Sequence, residues 1–318
     1  MISVVIPVYK NSGNIPPLLA ALTQLDDALH GALEVVFVVD GSPDDSYLQL
    51  ATRLPKLPLQ AQLLSLSRNF GSFAAIRAGL EAATGDCYAV MAADLQEPPE
   101  LILDFARILQ TGEVDIAVGT RTSRQDPLSS RIFSTLFWGL YRRFIQPEIP
   151  EGGVDVFGCR RNVRDQILRL PEQNSSLVGL LFWVGFTRTQ VPYERRKREI
   201  GVSAWTFQKK LRYLMDSIYS FSDLPIRPLM RLGVVSLLIG VIFACVVLVG
   251  KFTGTIPVPG YAAIVLTVTF FGALNCFGLG VIGNYVWRTF ENTKYRPNFI
   301  VASKTTYDRG ATHHSLAI

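Results

Sequence analysis

Two long runs without a charged residue near the carboxyl terminus constrain the fold of this chain more than any other feature. Neither residues 232–250 nor residues 261–287 contain a charged side chain. A helix needs about 20 predominantly apolar residues to cross a bilayer. The connecting segment, KFTGTIPVPG, holds prolines and glycines that can turn the chain. The sequence therefore predicts a two-helix transmembrane hairpin over residues 227–290, with two buried core helices as the alternative.

Basic residues are concentrated at the two ends of this predicted hairpin. The segment that connects its helices carries only Lys251. The basic residues at its ends are Arg227, Arg231, Arg288, Lys294 and Arg296. Because lysine and arginine accumulate on the cytoplasmic side of membrane proteins, both ends are expected to be cytoplasmic. The same orientation places a large amino-terminal domain and a tail over residues 291–318 in the cytoplasm.

Charge and cysteine content limit the remaining possibilities. The formal net charge is +5 and the pI is near 9.0, which suits nucleic acid, an anionic membrane surface or a phosphorylated substrate. The four cysteines are widely spaced and the three histidines form no cluster, so neither a disulfide framework nor a zinc site is expected. The amino terminus lacks the basic segment of a signal peptide and has the pattern of a strand.

Five apolar runs alternate with helical segments in the amino-terminal part of the chain. The runs are ISVVIPVY, LEVVFVVD, QAQLLSLS, DCYAVMAAD and VDIAVGT. Continuous apolar strands that alternate with helices indicate a parallel sheet covered on both faces. Residues 1–203 are therefore predicted to form an α/β domain with a Rossmann-like, mostly parallel sheet. Ligands of such sheets bind beyond the carboxyl ends of the strands, where Asp40 and Asp94 are expected.

Asp94 and Gln96 present oxygen atoms just after the fourth predicted strand. Pro98 and Pro99 follow, and proline does not continue a central strand. The chain has neither the dinucleotide-binding glycine fingerprint nor a P-loop. Mg²⁺ is commonly bound through one or two protein carboxylates together with water and substrate phosphates. The pair therefore predicts a site for Mg²⁺ or Mn²⁺, with a solvated loop carboxylate as the alternative.

Four segments carry a resemblance to a known family. VVIPVYKNSGNI, VVFVVDGSPDDS, LSRNFGSFAAIRAGL and MAADLQEPPE resemble, in this order, the family-2 glycosyltransferases of the GT-A fold. The similarity is to the polyprenyl-phosphate glycosyltransferases related to dolichol-phosphate mannose synthase, and it covers about the first two thirds of the chain. The predicted hairpin resembles that of members that glucosylate undecaprenyl phosphate.

The resemblance implies roles for residues of a nucleotide-sugar site. Pro7 and Tyr9 would line the base, and Asp40 would accept a hydrogen bond from its ring. Asp94, implied as catalytic, would ligate a metal ion that bridges the donor diphosphate, with Gln96 as a second ligand. The implied nucleotide-sugar set is Pro7, Tyr9, Asn11, Asp40, Asn69, Gly71, Asp94 and Gln96.

Some of these positions depart from the family pattern or have a simpler explanation. Asn11 stands where relatives often carry glutamate, and Ser72 where they often carry lysine. The first departure leaves the nucleotide open, with uridine favoured. The Asp40–Gly41 pair and the segment 69–71 are also typical of ordinary tight turns.

Two further segments resemble the acceptor side of the family. In GGVDVFGCRR, Asp155, implied as the second catalytic residue, and Arg160 match the aspartate and arginine of relatives. In YERRKREIGVSAW, the phosphate-binding pattern is matched by Arg195, Arg198 and Ser203. Arginine binds phosphate through two parallel hydrogen bonds. A surface turn and a solvated or lipid-facing cationic face are the respective alternatives.

Amphipathic patterns flank the cationic segment on both sides. Residues 128–145 and 204–226 each carry an apolar and aromatic stripe at helical spacing beside basic residues. Such a helix packs on a core or lies in the membrane interface. The interface is favoured for the second helix, because it leads directly into the predicted hairpin.

The resemblance implies transfer of a hexose with inversion to a polyprenyl (undecaprenyl) phosphate, with UDP-glucose as the favoured donor. GDP-mannose and a modified UDP-sugar are alternatives, as are a processive synthase, a non-catalytic membrane scaffold and a soluble transferase. The family also implies a homo-oligomer, namely a tetramer, while nucleic acid is not an expected partner.

A phosphate monoester has a second pKa of about 6, so it needs no general base at neutral pH. Asp155 is therefore expected to act by positioning or electrostatics.

Overall fold

The structure is a computed structural model of the 318-residue chain. It describes all residues except 123–138, 140, 144–145, 151–152, 171, 173–174, 197–206, 223, 254–259, 310–313 and 318. The chain divides into two compact units. One comprises Met1–Tyr213 and Arg296–Ile318, and the other comprises Leu214–Tyr295.

A mixed sheet forms the centre of the first unit. Its strands lie in the order β7-β5-β6-β4-β1-β2-β3-β8-β9. Their bounds are β1 Ile2–Val8, β2 Leu33–Val39, β3 Gln60–Leu66, β4 Cys87–Val90, β5 Ile116–Arg121, β6 Phe157–Arg160, β7 Arg188–Tyr193, β8 Val301–Tyr307 and β9 His314–Ala317. Strands β1 to β4 are mutually parallel, as are β5 and β7, whereas β6 and β8 are antiparallel to their neighbours. The predicted α/β class with a mostly parallel sheet is confirmed.

Helices cover both faces of this sheet and continue into the second unit. In the first unit they are α1 Ile15–Ala28, α2 Ser46–Arg53, α3 Ser72–Ala82, α4 Glu100–Thr111, α5 Arg161–Arg169 and α6 Leu177–Trp183. Next come α7 Phe207–Phe221, α8 Ile226–Phe252 and α9 Tyr261–Thr293. Short 3-10 turns lie at Ser12–Asn14 and Leu54–Lys56.

The apolar runs form central strands because both of their faces are covered. All seven residues of β2 are buried, and Val4, Val35 and Phe37 are fully inaccessible in the core. In the parallel ladders Val8 pairs with Val39, and Val5 with Val90. The carboxyl ends of β1, β2 and β4 therefore open at the same edge of the sheet.

Strand β6 was not predicted, and it runs in the opposite direction between β4 and β5. Its glycine, Gly158, lies against α4, where an added Cβ would come within 3.1 Å of Leu109 and Phe105 side-chain atoms. Its last residue, Arg160, pairs with Cys87, the first residue of β4. The end of β6 therefore lies at the amino-terminal edge of the neighbouring parallel strands.

The carboxyl-terminal segment is part of the sheet rather than the tail predicted over residues 291–318. Strand β8 pairs antiparallel with β3, from Ala61 with Tyr307 to Leu66 with Val301, and β9 pairs with β8. Beyond β8, the Arg309 guanidinium donates to both carboxylate oxygens of the buried Asp26. Sequence reasoning missed these strands because the segment lacks the strong apolar character of the central strands.

The second unit contains α8 and α9 at the positions of the two uncharged runs. Large apolar side chains on both helices are exposed, including Ile239, Val246 and Phe277. Within the described residues, one segment has the length and hydropathy of a membrane-crossing helix, namely Phe270–Thr293 with mean hydropathy 1.2. The two-span hairpin therefore stays a prediction.

The two predicted interfacial helices are described only in part. Most of residues 128–145 lie outside the described residues, but Tyr141 is fully buried and its ring stacks on that of Tyr213, with centroids 6.2 Å apart. The Tyr213 hydroxyl accepts a hydrogen bond from Ser176 Oγ at 2.9 Å. These contacts pack Tyr141 and Tyr213 inside the first unit, and the membrane position of both helices stays a prediction.

Arg309→Ala should destabilise the first unit by about 1 kcal/mol, because it leaves the buried Asp26 carboxylate without its charged donor. Urea unfolding followed by fluorescence measures the change. Arg107→Ala is the matched control, since its ion pair with Asp104 is largely exposed, and its effect should stay within about 0.5 kcal/mol. Equal effects would contradict an anchoring role for Arg309.

Candidate active site

Asp40 organises the loop that follows β3. It comes directly after β2 and its side chain is buried. Its two carboxylate oxygens accept hydrogen bonds from the backbone N–H groups of Phe70 and Gly71, at 2.7 and 2.9 Å. Its carbonyl oxygen accepts one from Asn69 Nδ2 at 3.2 Å. Burial raises the pKa of Asp40, although these backbone donors oppose the shift. The structure thus brings Asp40, Asn69 and Gly71 together.

Gly41 permits the close approach of two loops at this point. Its φ of +55° lies in the left-handed region, and an added Cβ would lie 2.4 Å from backbone atoms of Arg68 and Asn69. A side chain would therefore displace the loop that Asp40 holds. The glycine has a structural role beside the predicted nucleotide site.

Asp44 joins the loop after β2 to the loop after β1. Its carboxylate accepts hydrogen bonds from the Ser42 hydroxyl at 2.6 Å and from the backbone N–H groups of Ser12 and Ser46 at 3.1 and 3.2 Å. Although partial burial opposes the shift, the bonds from Ser42 and Ser46 lower the pKa of Asp44. Ser42 Oγ also accepts a hydrogen bond from the backbone N–H of Lys10, whose φ is +56°. These bonds fix a strained backbone at the edge of a crevice, which is the space beyond the carboxyl ends of β1, β2 and β4.

The predicted base-binding residues lie on this joined loop. Pro7 pairs with Val38 near the carboxyl end of β1. The Tyr9 N–H donates to Asn11 Oδ1 at 3.2 Å, and the Asn11 N–H donates to Ser46 Oγ at 3.3 Å. Pro7, Tyr9 and Asn11 therefore lie at the same edge as Asp40, and their contacts with a base stay predictions.

A strained turn after β4 carries the predicted metal ligands. Leu95 lies between them with a φ of +54°, which is uncommon for a residue with a side chain. The Gln96 N–H donates to Asp94 Oδ1 at 3.3 Å. Strained non-glycine residues concentrate at functional sites, where the surrounding structure holds them.

The start of the cationic segment is docked on this turn. Arg195 Nη2 donates to Gln96 Oε1 at 2.8 Å, and the Arg196 N–H donates to the Gln96 carbonyl at 2.8 Å. Arg196 also pairs with Glu100 at 3.3 Å, at the start of α4. The predicted phosphate-binding segment and the predicted metal-binding turn therefore form one continuous surface.

Glu97 is a buried carboxyl group that sequence reasoning did not select. Its side chain is 3% exposed, its Oε1 lies 3.8 Å from Arg195 Nε, and its Oε2 has no hydrogen-bond partner within the described chain. Burial, followed by the charges of Asp155 and Asp94, raises the pKa of Glu97 to about 7. The crevice therefore holds three carboxyl groups close enough to affect each other.

Asp155 lies in the segment before β6 and is held by two residues at strand ends. Arg121 Nε donates to Asp155 Oδ2 at 2.5 Å, and its Nη2 also lies against the same oxygen. The Tyr193 hydroxyl donates to Oδ2 at 3.1 Å. Burial and then the charge of Asp155 raise the pKa of Tyr193, so the phenol remains a donor at neutral pH.

Comparison with known proteins identifies the family. A sequence model of glycosyl transferase family 2 matches residues 3–169. The chain belongs to glycosyl transferase family 2. This family-2 chain is 34% identical over 302 residues to an uncharacterised glycosyltransferase of Synechocystis, covering 95% of this chain and 94% of the relative. The resemblance read from the four sequence segments is confirmed, and so is the GT-A fold that it implied.

Two relatives have more specific names. A bactoprenol glucosyl transferase of Shigella phage SfX is 30% identical over 304 residues, covering 95% of this chain and 99% of the relative. A prophage bactoprenol glucosyl transferase homologue of Escherichia coli is 31% identical over 301 residues, covering 94% and 98%. The similarity to these family-2 proteins therefore extends over the carboxyl-terminal helices as well as the sheet.

The structure separates one predicted site residue from the others. Arg160 lies at the amino-terminal edge of the sheet because β6 is antiparallel to β4, and its Nη1 donates to the Gly112 carbonyl at 3.3 Å. The structure therefore does not bring Arg160 together with the other predicted site residues, and its phosphate-binding role stays an untested prediction. Arg198 and Ser203 lie outside the described residues. Asp94, Gln96, Asp155 and Arg195 belong to the crevice.

Three residues of this family-2 site were missed because they act through tertiary contacts. Glu97 follows Gln96 directly, and its position in the acidic sequence DLQEPPE was the available signal. Arg121 and Tyr193 are the last residues of β5 and β7. For Arg121 the end of a predicted strand was the signal. Strand β7 was not predicted, so nothing pointed to Tyr193.

The residues present fit a cation that takes few protein ligands. Within the described ranges, no group of three histidine, cysteine, aspartate or glutamate side chains is arranged to hold a metal ion. The predicted ligands Asp94 and Gln96 nevertheless supply oxygen atoms of the kind that Mg²⁺ and Mn²⁺ prefer, and beside them Glu97 Oε2 is a buried acceptor without a donor among the described residues. An ion held here would therefore take most of its ligands from a bound phosphate and water.

Glu97→Gln should stabilise the protein at high pH. The folded-state pKa of about 7 exceeds the ordinary value of 4.5. Folding therefore favours protonated Glu97, and stability falls as the pH rises from 4.5 to 7. At pH 8 the free energy of unfolding of the variant should exceed that of the wild type by on the order of 2 kcal/mol. Below pH 4.5 the two proteins should have the same free energy of unfolding.

Urea unfolding across this pH range, with a chelator present to remove divalent cations, measures the difference. Glu113→Gln is the matched control because that glutamate is exposed. Its pH profile should follow that of the wild type. Parallel profiles for the wild type and Glu97→Gln would show that ionisation of Glu97 has no cost in the folded state.

Proposed function

We propose that the protein transfers a hexose from a nucleotide sugar to the phosphate of a polyprenyl lipid, with inversion at the anomeric carbon. The observation that carries the proposal is the 2.8 Å hydrogen bond between Arg195 and Gln96. It joins the turn expected to hold the donor diphosphate to the segment expected to bind phosphate. Relatives named bactoprenol glucosyl transferase support this class of acceptor.

The donor side of the proposed site consists of the loops after β1, β2 and β3. The hydrogen bonds of Asp40 and Asp44 hold these loops in place before any ligand binds. Prior ordering of this kind lowers the entropic cost of binding. We favour UDP-glucose as donor because the relatives with specific names are glucosyl transferases. GDP-mannose and modified UDP-sugars are the alternatives to be tested.

A divalent ion, Mg²⁺ or Mn²⁺, belongs to the proposed donor site. Asp94 is its first proposed protein ligand. Gln96, whose Oε1 accepts a hydrogen bond from Arg195, is the weaker of the two ligands. When bound, such an ion would neutralise the charge that develops on the leaving diphosphate. Arg195, which is docked on the turn that carries Asp94, would bind the same diphosphate.

The acceptor phosphate is itself the proposed nucleophile. With a second pKa of about 6, a phosphate monoester is largely dianionic at neutral pH and no proton has to be removed. Asp155 is already paired with Arg121 and hydrogen-bonded to Tyr193, so its carboxylate is held in a fixed place. We therefore assign Asp155 to positioning on the acceptor side, and the product from an α-linked donor is β-linked.

The acceptor lipid accounts for the apolar second unit. In the proposal α8 and α9 cross the membrane as a hairpin, and the helices at residues 128–145 and 204–226 lie in its interface. The first unit and both termini are cytoplasmic, where nucleotide sugars are soluble. The exposed apolar surface of α8 and α9 supports a lipid environment for these helices. The tetramer that the family implies stays a prediction.

The purified protein should form a lipid-linked sugar from undecaprenyl phosphate, Mg²⁺ and a radiolabelled nucleotide sugar. UDP-glucose should be used in preference to UDP-galactose, UDP-N-acetylglucosamine and GDP-mannose. Asp94→Asn should reduce transfer by at least about 100-fold and raise the Mg²⁺ concentration required, because one anionic ligand is lost. Thin-layer chromatography of the lipid product measures both effects.

Asp104→Asn on the exposed face of α4 is the matched control and should retain full activity. Circular dichroism should show that both variants fold. Normal turnover of Asp94→Asn at limiting Mg²⁺ would exclude Asp94 as a metal ligand. An absence of lipid-linked product from every donor would contradict the proposed reaction and favour a non-catalytic scaffold.

A reporter fused to either terminus should be active in the cytoplasm, and one inserted at Gly254 should be active outside. The physical reason is the excess of arginine and lysine at the two ends of the hairpin. Alkaline phosphatase and green fluorescent protein fusions measure opposite sides of the membrane. A Gly254 reporter that reads as cytoplasmic would show that α8 and α9 do not form a membrane-spanning hairpin.

A further inference from the structure

Arg121 and Tyr193 end two neighbouring parallel strands and meet at Asp155. Strands β5 and β7 pair in register up to Arg121 with Tyr193. The Thr122 N–H donates to the Tyr193 carbonyl at 3.0 Å, which extends the ladder past the strand end. The backbone therefore fixes the spacing of the two side chains before either contacts Asp155.

Among the described residues, Arg121 and Tyr193 contact Asp155 through the same oxygen atom. Arg121 and Tyr193 both donate to Oδ2, and within the described chain Oδ1 accepts no hydrogen bond. The exposed fractions of the Arg121 and Asp155 side chains are 15% and 31%, so the donor is more buried than the carboxylate. This arrangement fixes the carboxylate through Oδ2.

The other charges in the crevice explain why the Asp155 carboxylate needs the contact with Arg121. The carboxyl groups of Asp94 and Asp155 both act on the pKa of Glu97, and Arg195 and Arg121 act on it with the opposite sign. The proposed reaction brings two anions, a diphosphate and a phosphate monoester, to this same crevice. An uncompensated carboxylate beside a phosphate dianion would repel it.

We propose that Arg121 and Tyr193 are positioning residues that act through Asp155, fixing its carboxylate and neutralising its charge so that an anionic acceptor binds beside it. This inference rests on the proposed function, because it assigns Asp155 to the acceptor side. Arg121 provides the charge and two of the donors, and Tyr193 provides a third donor. The larger effect is therefore expected from Arg121.

A double-mutant cycle separates this role from direct phosphate binding and from a purely structural role. The variants are Arg121→Gln, Asp155→Asn, the double variant, Arg121→Lys and Tyr193→Phe. Initial rates with undecaprenyl phosphate give kcat and the acceptor KM. Calorimetry with the nucleotide sugar gives donor affinity, and thermal unfolding reports stability.

Arg121→Gln should raise the acceptor KM by about tenfold or more, since it removes a charged hydrogen-bond donor from a half-buried carboxylate. Donor affinity should not change. Arg121→Lys should recover part of the loss because it keeps the charge, and Tyr193→Phe should show a smaller increase of about threefold. The double variant should be no worse than the poorer single variant, because the neutral amide that Asp155→Asn introduces needs no compensating cation.

Arg188→Gln is the matched control. Arg188 begins β7, opposite Ile116 at the start of β5, and pairs with Glu148 at the far edge of the same strands with a side chain that is 22% exposed. The Arg188→Gln variant should lower stability without changing the acceptor KM or the donor affinity. Multiplicative losses in the double variant would overturn the proposal and indicate that Arg121 binds phosphate itself. Lost donor affinity, or a fall in stability that accounts for the rates, would also overturn it.

Failure of the proposed function gives a different result. If the wild-type protein transfers no sugar to lipid phosphate, both the function and the inference that rests on it are wrong. If the wild type is active and the cycle shows independent effects, the function stands and only the positioning role is rejected.

Discussion

The convergence of parallel strand ends is the constraint on which the rest of the site depends. The register of β1 with β2 and β4 brings their carboxyl ends to one edge, and β5 and β7 end at Arg121 and Tyr193. Loops that leave such an edge are short of backbone partners. Side chains supply them, as Asp40 does for the loop after β3 and Asp44 for the loop after β1. These contacts order the loops of the crevice.

The second constraint on this crevice is the compensation of its carboxyl groups by nearby cations or protons. Three carboxyl groups lie near each other, and one of them, Glu97, is almost fully buried. Burial of several like charges is costly unless cations or protons compensate them. Arg121 compensates Asp155, Arg195 approaches Glu97, and the raised pKa of Glu97 allows protonation. These contacts compensate the carboxyl groups of a surface that is proposed to receive anionic substrates.

The last strands connect the carboxyl terminus to the catalytic fold. The chain leaves the first unit after Tyr213 and returns to it at Arg296, where β8 covers the edge of β3. An uncovered β3 would be an open strand edge able to pair with other chains. The Ser67 N–H also donates to the Ile300 carbonyl at 2.9 Å, directly before the loop that Asp40 holds. Residues beyond the apolar helices therefore support the predicted nucleotide site.

The sequence by itself determined the five apolar strands, the helices between them and the positions of Asp40 and Asp94, because these depend on local hydrophobic patterns and on the residues that end a strand. It also indicated the glycosyltransferase family through motifs in the same loops. Only the tertiary structure decided that β6 runs antiparallel, which moves Arg160 away from the site, and that β8 joins the sheet. It alone showed the burial and the contacts of Glu97, Arg121 and Tyr193. Their burial and charge partners come from segments far apart in the chain, and no local pattern records such contacts.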